Sequence, residues 1–158
     1  MALFLSTFEN KVDTKGRVSV PSQFRSMLHG KDFSGIVLYQ SSINPCVEGC
    51  SIERIQKLSE TIDDLDPLSR ERDAFATVIL GGSAQLPFDS DGRVILPKNL
   101  MEIAGITDKA VFVGKGQTFE VWEPKRFEEY LKKAKEQIKN TPFSYKKVSH
   151  YGRLFFWE

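Results

Sequence analysis

Two short segments of the sequence combine residue types that can bind an anion. In each, an aspartate precedes an arginine by four positions and a glycine stands directly before the arginine: Asp13, Gly16 and Arg17, then Asp89, Gly92 and Arg93. Arginine offers a planar fork of donors that suits phosphates and the guanine edge in the major groove. The aspartate can accept hydrogen bonds from turn amides, and glycine tolerates a positive φ. We therefore predict two tight turns that each present an arginine.

Local charge distinguishes the two turns. Residues 11–25 carry a net charge of +3, whereas residues 89–103 carry −1, and Asp91 stands where the first segment has Lys15. We therefore assign Arg17 to base contacts and Lys15 to the DNA backbone, with Lys11 as a further DNA-binding candidate. A hairpin with the arginine at its turn is one of the elements that fit the major groove.

An ion pair is the competing interpretation of each turn. An aspartate and an arginine on either side of a glycine turn form a surface ion pair more often than a binding site. Arg93 remains a candidate DNA contact, but an internal ion pair or a contact with another subunit explains it equally well. Repetition of the pattern favours a shared role over coincidence.

The two segments belong to an internal repeat. Residues 12–21 recur as residues 88–97 at a constant offset of 76, with Asp, Gly, Arg, Val and Pro identical at five positions. The similarity continues into two apolar runs, 35–39 and 109–113, each followed by a second short strand. Proline opens a short helix in each copy. Each copy is therefore predicted to be two hairpins around a short helix.

The elements between and after the copies are predicted to be helical. Ile52, Ile55 and Leu58 share one face of a helix, a connector helix covers residues 68–80, and Pro124 opens another helix. Each copy has about 45 residues, which is below the size at which a lone core usually suffices. We therefore expect the two copies to pack into one globule with internal pseudo-two-fold symmetry.

Other chemistries find little support in the sequence. Cys46 and Cys50 are too few for a zinc site, His29 and His150 have no nucleophile beside them, and residues 114–116 predict a hairpin turn. Asp13 and Asp89 lie beside arginines, which makes them poor general acids. We therefore predict no enzyme, metal, cofactor or small-molecule substrate.

Composition sets the wider limits. The chain has 158 residues, 41% hydrophobic and 27% charged, with a net charge of +1, so any nucleic-acid site must be local. An uncharged apolar run of about 20 residues is missing, and Glu9 comes too early for a signal peptide. These features predict a cytoplasmic protein with no membrane partner.

At these residues the chain resembles the MraZ family, whose Asp-x-x-x-Arg signature it matches twice. The resemblance runs from about Leu3 to Lys135, and further matching positions are Pro45, Cys46, Pro67, Arg70, Gly81, Val113, Gly114 and residues 119–122. Asp91 departs from the pattern of the first copy, and the tail after Asn140 does not align.

The resemblance implies a fold and a function. The fold is α+β, mainly β, with two AbrB/SpoVT-like swapped-hairpin units, at 7–54 and 83–126, a helical connector at 55–82, and a C-terminal helix and tail at 127–158. The function implied is a sequence-specific, nucleoid-associated transcription regulator. Such proteins form rings and bind tandem direct repeats of double-stranded DNA upstream of their own division and cell-wall operon. Arg17 is then a DNA contact.

Two alternatives remain. The chain could be an assembly scaffold that does not bind DNA, in which the hairpins only mediate oligomerisation. The tail from Thr141 interleaves aromatic and basic residues, and we expect it to dock on the body or on a neighbouring subunit rather than to stack on single-stranded bases.

Overall fold

The computed structural model describes residues 2–141 and Phe143. The chain divides into two compact units, Met1–Pro124 and Lys125–Glu158. Most of the tail from Thr141 lies outside the described residues, so its expected docking stays a prediction.

Eight strands, five α-helices and one π-helical turn form within the described residues. The strands are β1 (Thr7–Lys11), β2 (Arg17–Ser19), β3 (Gly35–Gln40), β4 (Val47–Cys50), β5 (Ala84–Pro87), β6 (Arg93–Ile95), β7 (Lys109–Gly114) and β8 (Phe119–Trp122). The helices are α1 (Ser22–Arg25), α2 (Ile52–Asp63), α3 (Arg70–Phe75), which the π-helical turn Ala76–Leu80 continues, α4 (Lys98–Ala104) and α5 (Pro124–Asn140). The predicted α+β class, with mainly antiparallel β-structure, is confirmed.

The main sheet mixes strands from both copies of the repeat. It has six strands in the order β1-β7-β8-β4-β3-β5, and all neighbours are antiparallel. β1 of the first copy pairs with β7 of the second, from Thr7↔Val113 to Lys11↔Lys109. β5 of the second copy pairs in turn with β3 of the first. Each copy therefore adds an edge strand to the hairpin of the other.

One expectation is wrong in its detail, namely that each copy folds its first two strands into a hairpin. In the described chain, β1 and β2 share one isolated bridge, Val12↔Val18, and β2 pairs with β6 over three residue pairs. The reason is burial. When β2 pairs with β6, the side chains of Val18 and Val94 point into the shared core, where each is 1% exposed. The β1 strand instead forms its hydrogen-bonded ladder with β7.

The main core is centred on Phe24 of α1, which is fully buried. Its ring lies 5.1 Å from that of Phe4, 5.6 Å from Phe8, 6.4 Å from Phe112 and 5.3 Å from Phe119, measured between centroids. Most of these ring pairs have edge-to-face geometry, which aromatic quadrupoles favour. Because Phe112 and Phe119 come from the second copy, this cluster joins the two copies.

The opposite face of the sheet packs against α2. Val37 and Tyr39 of β3 lie there with Cys50 and Ile79, and the predicted apolar face of α2 covers them with Ile52, Ile55 and Leu58. Ser51 caps the helix by accepting a hydrogen bond from the N–H of Arg54 at 3.2 Å. The α2 helix and the β2–β6 ribbon therefore lie on opposite sides of the sheet.

Replacing Phe24 with alanine tests the shared core. We expect Phe24→Ala to lower the free energy of unfolding by about 3–5 kcal/mol, because it removes a buried ring and leaves a cavity. Ile43→Ala, at a position that is 80% exposed, is the control and should change it little. Urea denaturation at a fixed protein concentration measures both, and similar values for the two variants would contradict the packing described.

Candidate nucleic-acid interface

The first turn is organised by the carboxylate of Asp13. Its Oδ1 accepts hydrogen bonds from the N–H groups of Lys15 at 3.0 Å and Arg17 at 2.9 Å, and its Oδ2 accepts from Arg17 Nε at 2.6 Å. Gly16, with φ +83°, donates its N–H to the Asp13 carbonyl at 3.0 Å. One side chain thus orders the backbone of the turn and the arginine it carries.

These hydrogen bonds lower the pKa of Asp13 below its ordinary value. The largest cause is the hydrogen bond from the backbone N–H of Arg17, and the Arg17 side chain and the Lys15 N–H act in the same direction. The carboxylate therefore stays ionised at neutral pH and keeps its acceptors available to the turn.

The second turn repeats this geometry with one addition. Asp89 Oδ1 accepts from the N–H groups of Asp91 at 2.8 Å and Arg93 at 2.9 Å, and its Oδ2 accepts from Arg93 Nε at 3.0 Å. The backbone hydrogen bond from Arg93 is the main cause that lowers the pKa of Asp89. In addition, Arg93 Nη2 lies 3.3 Å from Asp91 Oδ2. Two donors of Arg93 are thus engaged by its own turn.

Pairing of β2 with β6 joins the two turns into one two-stranded ribbon. The Gly16 carbonyl accepts from the N–H of Leu96 at 2.9 Å, and the Gly92 carbonyl accepts from the N–H of Val20 at 3.2 Å. Since side chains alternate along strands and Val18 and Val94 face the core, the neighbouring positions face outward. The outer face carries Arg17, Ser19, Arg93 and Ile95.

A basic depression runs beside this ribbon. Its lining consists of Lys11, Val12, Asp13, Arg17, Ser19, Arg93, Asp108 and Lys109. Lys11 and Lys109 are direct partners across β1 and β7. Like charges placed opposite each other are unfavourable in a sheet, and a bound anion would relieve that repulsion.

The structure therefore brings together three of the four predicted DNA-binding residues, Lys11, Arg17 and Arg93. Lys15 is exposed at the tip of the first turn and does not line the depression. Sequence reasoning missed Lys109, because only the pairing of β1 with β7 brings it beside Lys11. Its place at the start of a strand in the second copy carries no local signal.

Arg25 contributes to the charge of the first segment, residues 11–25, but its side chain lies against the second turn. Its Nη1 donates to the Val20 carbonyl at 2.6 Å, and a Cβ placed on Gly92 would lie 2.7 Å from Arg25 Nε. Arg25 also borders a hollow with Asp89 and Asp91. The difference in charge between the turns is therefore smaller in space than along the sequence.

The remaining reactive groups belong to the interior or to other turns. Cys46 and Cys50 are free and buried, and burial raises the pKa of both thiols, that of Cys50 to about 12. No group of three or more potential metal ligands occurs in the part of the chain that is described. The ring of His29 contacts that of Phe88 at 5.7 Å, whereas His150 lies outside the described residues.

The Gly114–Gly116 segment forms the turn between β7 and β8. The Lys115 N–H donates to the Thr118 carbonyl at 2.9 Å, and Lys115 Nζ lies 3.0 Å from Glu120 Oε1. Glu120 is 1% exposed and also accepts from Trp122 Nε1 at 2.8 Å and from Asn44 Nδ2 at 3.2 Å. These contacts give the buried carboxylate a structural role.

Among the described residues, no helix is both long and apolar enough to cross a membrane.

The fold and the ribbon together define a small α+β protein with a duplicated Asp–Arg turn. Comparison with known proteins agrees. A family model described as "MraZ protein, putative antitoxin-like" matches residues 79–144. The transcriptional regulator MraZ of Rickettsia akari is 52% identical over 136 residues, covering 86% of this chain and 91% of the relative. The protein of that name in Rickettsia felis is 52% identical over 154 residues, covering 98% and 96%. The chain belongs to the MraZ family.

The source of the lowered pKa of Asp13 can be tested by titration. Folding stabilises the ionised form, so this stabilisation is complete above a pH of about 4 and is lost as the pH falls through the lowered pKa. In Arg17→Ala the backbone N–H remains, and we expect the pKa of Asp13 to rise only part of the way to its ordinary value. Carbon-13 NMR of the carboxyl group measures it, and complete return to the ordinary value would contradict the assignment to the backbone.

Proposed function

We propose that this chain is a sequence-specific, DNA-binding transcription regulator. Relatives that are 52% identical over most of the chain carry the name transcriptional regulator MraZ, which supports this class. The observation that carries the proposal is the hydrogen bonding of the Arg17 guanidinium. Its Nε is bound to Asp13, while its terminal nitrogens have no hydrogen-bond partner within residues 2–141.

Arg17 is suited to reading a base. Asp13 fixes the near end of the guanidinium, so that its two terminal nitrogens are free to donate together to O6 and N7 of a guanine. A two-stranded ribbon fits the major groove, and here the ribbon consists of β2 and β6 rather than of a hairpin within one copy. Ordering by Asp13 lowers the entropy that the arginine loses on binding.

The lysines around the ribbon are assigned to phosphates. Lys11 and Lys109 lie side by side on β1 and β7 and line the basic depression, and Lys15 is exposed at the tip of the turn. Each phosphate contact by a lysine adds affinity that does not depend on sequence and weakens with salt. These residues would hold the ribbon against the DNA backbone while Arg17 contacts a base.

Arg93 takes a smaller part in this interface. It lines the same depression as Arg17, but Asp89 and Asp91 engage its Nε and Nη2. Asp91 is also 70% exposed at its side chain, so its charge repels phosphates nearby. We therefore place Arg93 at the rim of the contact, with weaker binding than Arg17.

Assembly into a ring completes the proposal. One ribbon with a few cationic contacts binds weakly, whereas a ring that presents several ribbons to tandem direct repeats gains avidity of about 10²- to 10⁴-fold. The connector carries exposed apolar side chains, Leu68, Phe75 and Val78, which self-association would cover. The repeats proposed lie upstream of the protein's own division and cell-wall operon.

The architecture proposed for the ring subunit follows the exchange of strands. The two copies form AbrB/SpoVT-like swapped-hairpin units at 7–54 and 83–126 related by a pseudo-two-fold axis, with the connector at 55–82 and the C-terminal segment at 127–158. The reciprocal pairings of β1 with β7 and of β5 with β3 support this description. The protein would act in the cytoplasm at the nucleoid, without catalysis or a cofactor.

Alanine at each turn arginine separates this proposal from the assembly scaffold. We expect Arg17→Ala to weaken binding to DNA from upstream of the gene by about 5- to 150-fold, the value of one bidentate base contact. Arg93→Ala should weaken it less, because that arginine is already engaged. Fluorescence anisotropy measures binding, and light scattering checks that the oligomer persists.

Lys57→Ala is the matched control for charge. It removes one exposed cation from α2, which packs on the opposite face of the sheet from the ribbon, and should leave binding close to that of the unmodified protein. Absence of DNA binding by the unmodified protein, or collapse of the oligomer in Arg17→Ala, would favour the scaffold.

The number of repeats should control affinity. At a fixed total concentration of repeats, we expect a probe with several direct repeats to bind at least tenfold more tightly than a probe with one, since later contacts become intramolecular. A probe with the same repeats at altered spacing controls for geometry. Equal affinity for single and multiple repeats, measured by gel shift, would contradict the multivalent mechanism.

A further inference from the structure

An apolar side chain lies on the outer face of the cationic ribbon, at the end of β6. Ile95 is 61% exposed and pairs directly with Arg17 across β2 and β6. The corresponding residue of the first copy, 76 positions earlier, is Ser19, which pairs with Arg93. The outer face therefore has an apolar position next to Arg17 and a polar position next to Arg93.

We propose that Ile95 is a specificity-determining residue that contacts the C5-methyl group of a thymine next to the base read by Arg17. This inference rests on the proposed function. The thymine methyl is the apolar feature of the major groove, and an apolar side chain is what recognises it. Directly opposed residues of an antiparallel pair have Cβ atoms about 4.5–5.5 Å apart, which is between one and two times the rise of about 3.4 Å between stacked base pairs. Arg17 and Ile95 can thus reach neighbouring base pairs.

The surroundings of Ile95 favour DNA over a second copy of the chain as its partner. Ile95 belongs to neither core cluster of the described residues, so its exposure serves no packing role within them. Arg17, Arg93, Lys11 and Lys109 surround the ribbon, and the same face of a second copy would bring the same charges against them. The major groove offers phosphates on both sides and methyl groups between them.

Replacement of thymine by deoxyuridine isolates the methyl contact. DNA from upstream of the gene is prepared with each thymine of the repeats replaced in turn by deoxyuridine, which loses only the methyl group. We expect at least one position at which the unmodified protein binds deoxyuridine DNA about fourfold more weakly per repeat, as burial of one methyl predicts. In Ile95→Ala the two DNA forms should bind equally at that position.

Two control variants accompany the measurement. Ile43→Ala removes another exposed isoleucine, from the loop between β3 and β4, and should retain the preference for thymine. Arg17→Ala reports on the proposed function itself. Light scattering on every variant shows whether the oligomer is intact.

The outcomes separate the two claims. A preference for thymine that Ile95→Ala abolishes and Ile43→Ala retains supports the inference. If Arg17→Ala weakens binding but no position distinguishes thymine from deoxyuridine, or if the preference survives in Ile95→Ala, the role of Ile95 is overturned and the proposed function stands. If Ile95→Ala changes the oligomer size instead, Ile95 is a subunit contact and the inference is overturned. If Arg17→Ala binds DNA as tightly as the unmodified protein, the base contact proposed for Arg17 fails, and the inference fails with it. If the unmodified protein does not bind this DNA, the proposed function itself fails.

Discussion

Pairing between β2 and β6 is the interaction on which the rest of the structure depends. It comprises three residue pairs, and next to them the carbonyls of Gly16 and Gly92 accept hydrogen bonds from the N–H groups of Leu96 and Val20. It directs the side chains of Val18 and Val94 into a common core and places both Asp–Arg turns on one surface. A half of about 45 residues could not bury enough apolar surface by itself. The surface that carries both turns and the shared core are therefore products of the same pairing, and neither exists in one copy alone.

Duplication kept the geometry of the turn and changed its charge. Asp13 and Asp89 accept the same set of hydrogen bonds, so the backbone of the two turns is equivalent. The difference in charge within the turn comes from one position, which is Lys15 in the first turn and Asp91 in the second. Asp91 engages the Nη2 of Arg93, and the corresponding donor of Arg17 is free among the described residues. The same turn geometry thus leaves Arg17 and Arg93 with different numbers of engaged donors.

The buried polar groups show how the sheet accommodates a buried charge. Glu120 is almost fully buried, and it is satisfied by an indole, an amide and an ammonium group. A buried carboxylate without such partners would be costly, so the two donors from the β7–β8 hairpin and the one from the loop between β3 and β4 stabilise it. The two cysteines lie in the same interior, and their raised pKa values keep them as neutral thiols.

The sequence by itself determined the repeat, the class of fold and the turns, because each of these depends on local patterns. The aspartate, glycine and arginine at fixed spacing specify the turn through bonds within five residues, and the alternation of apolar residues specifies the strands. The tertiary structure alone decided which strands pair. In it, β2 pairs with β6 and not in a hairpin with β1, Lys109 lies beside Lys11, and Arg25 lies against Gly92. These contacts join residues many positions apart, and what selects them is burial of a core shared by both copies, which no local pattern encodes.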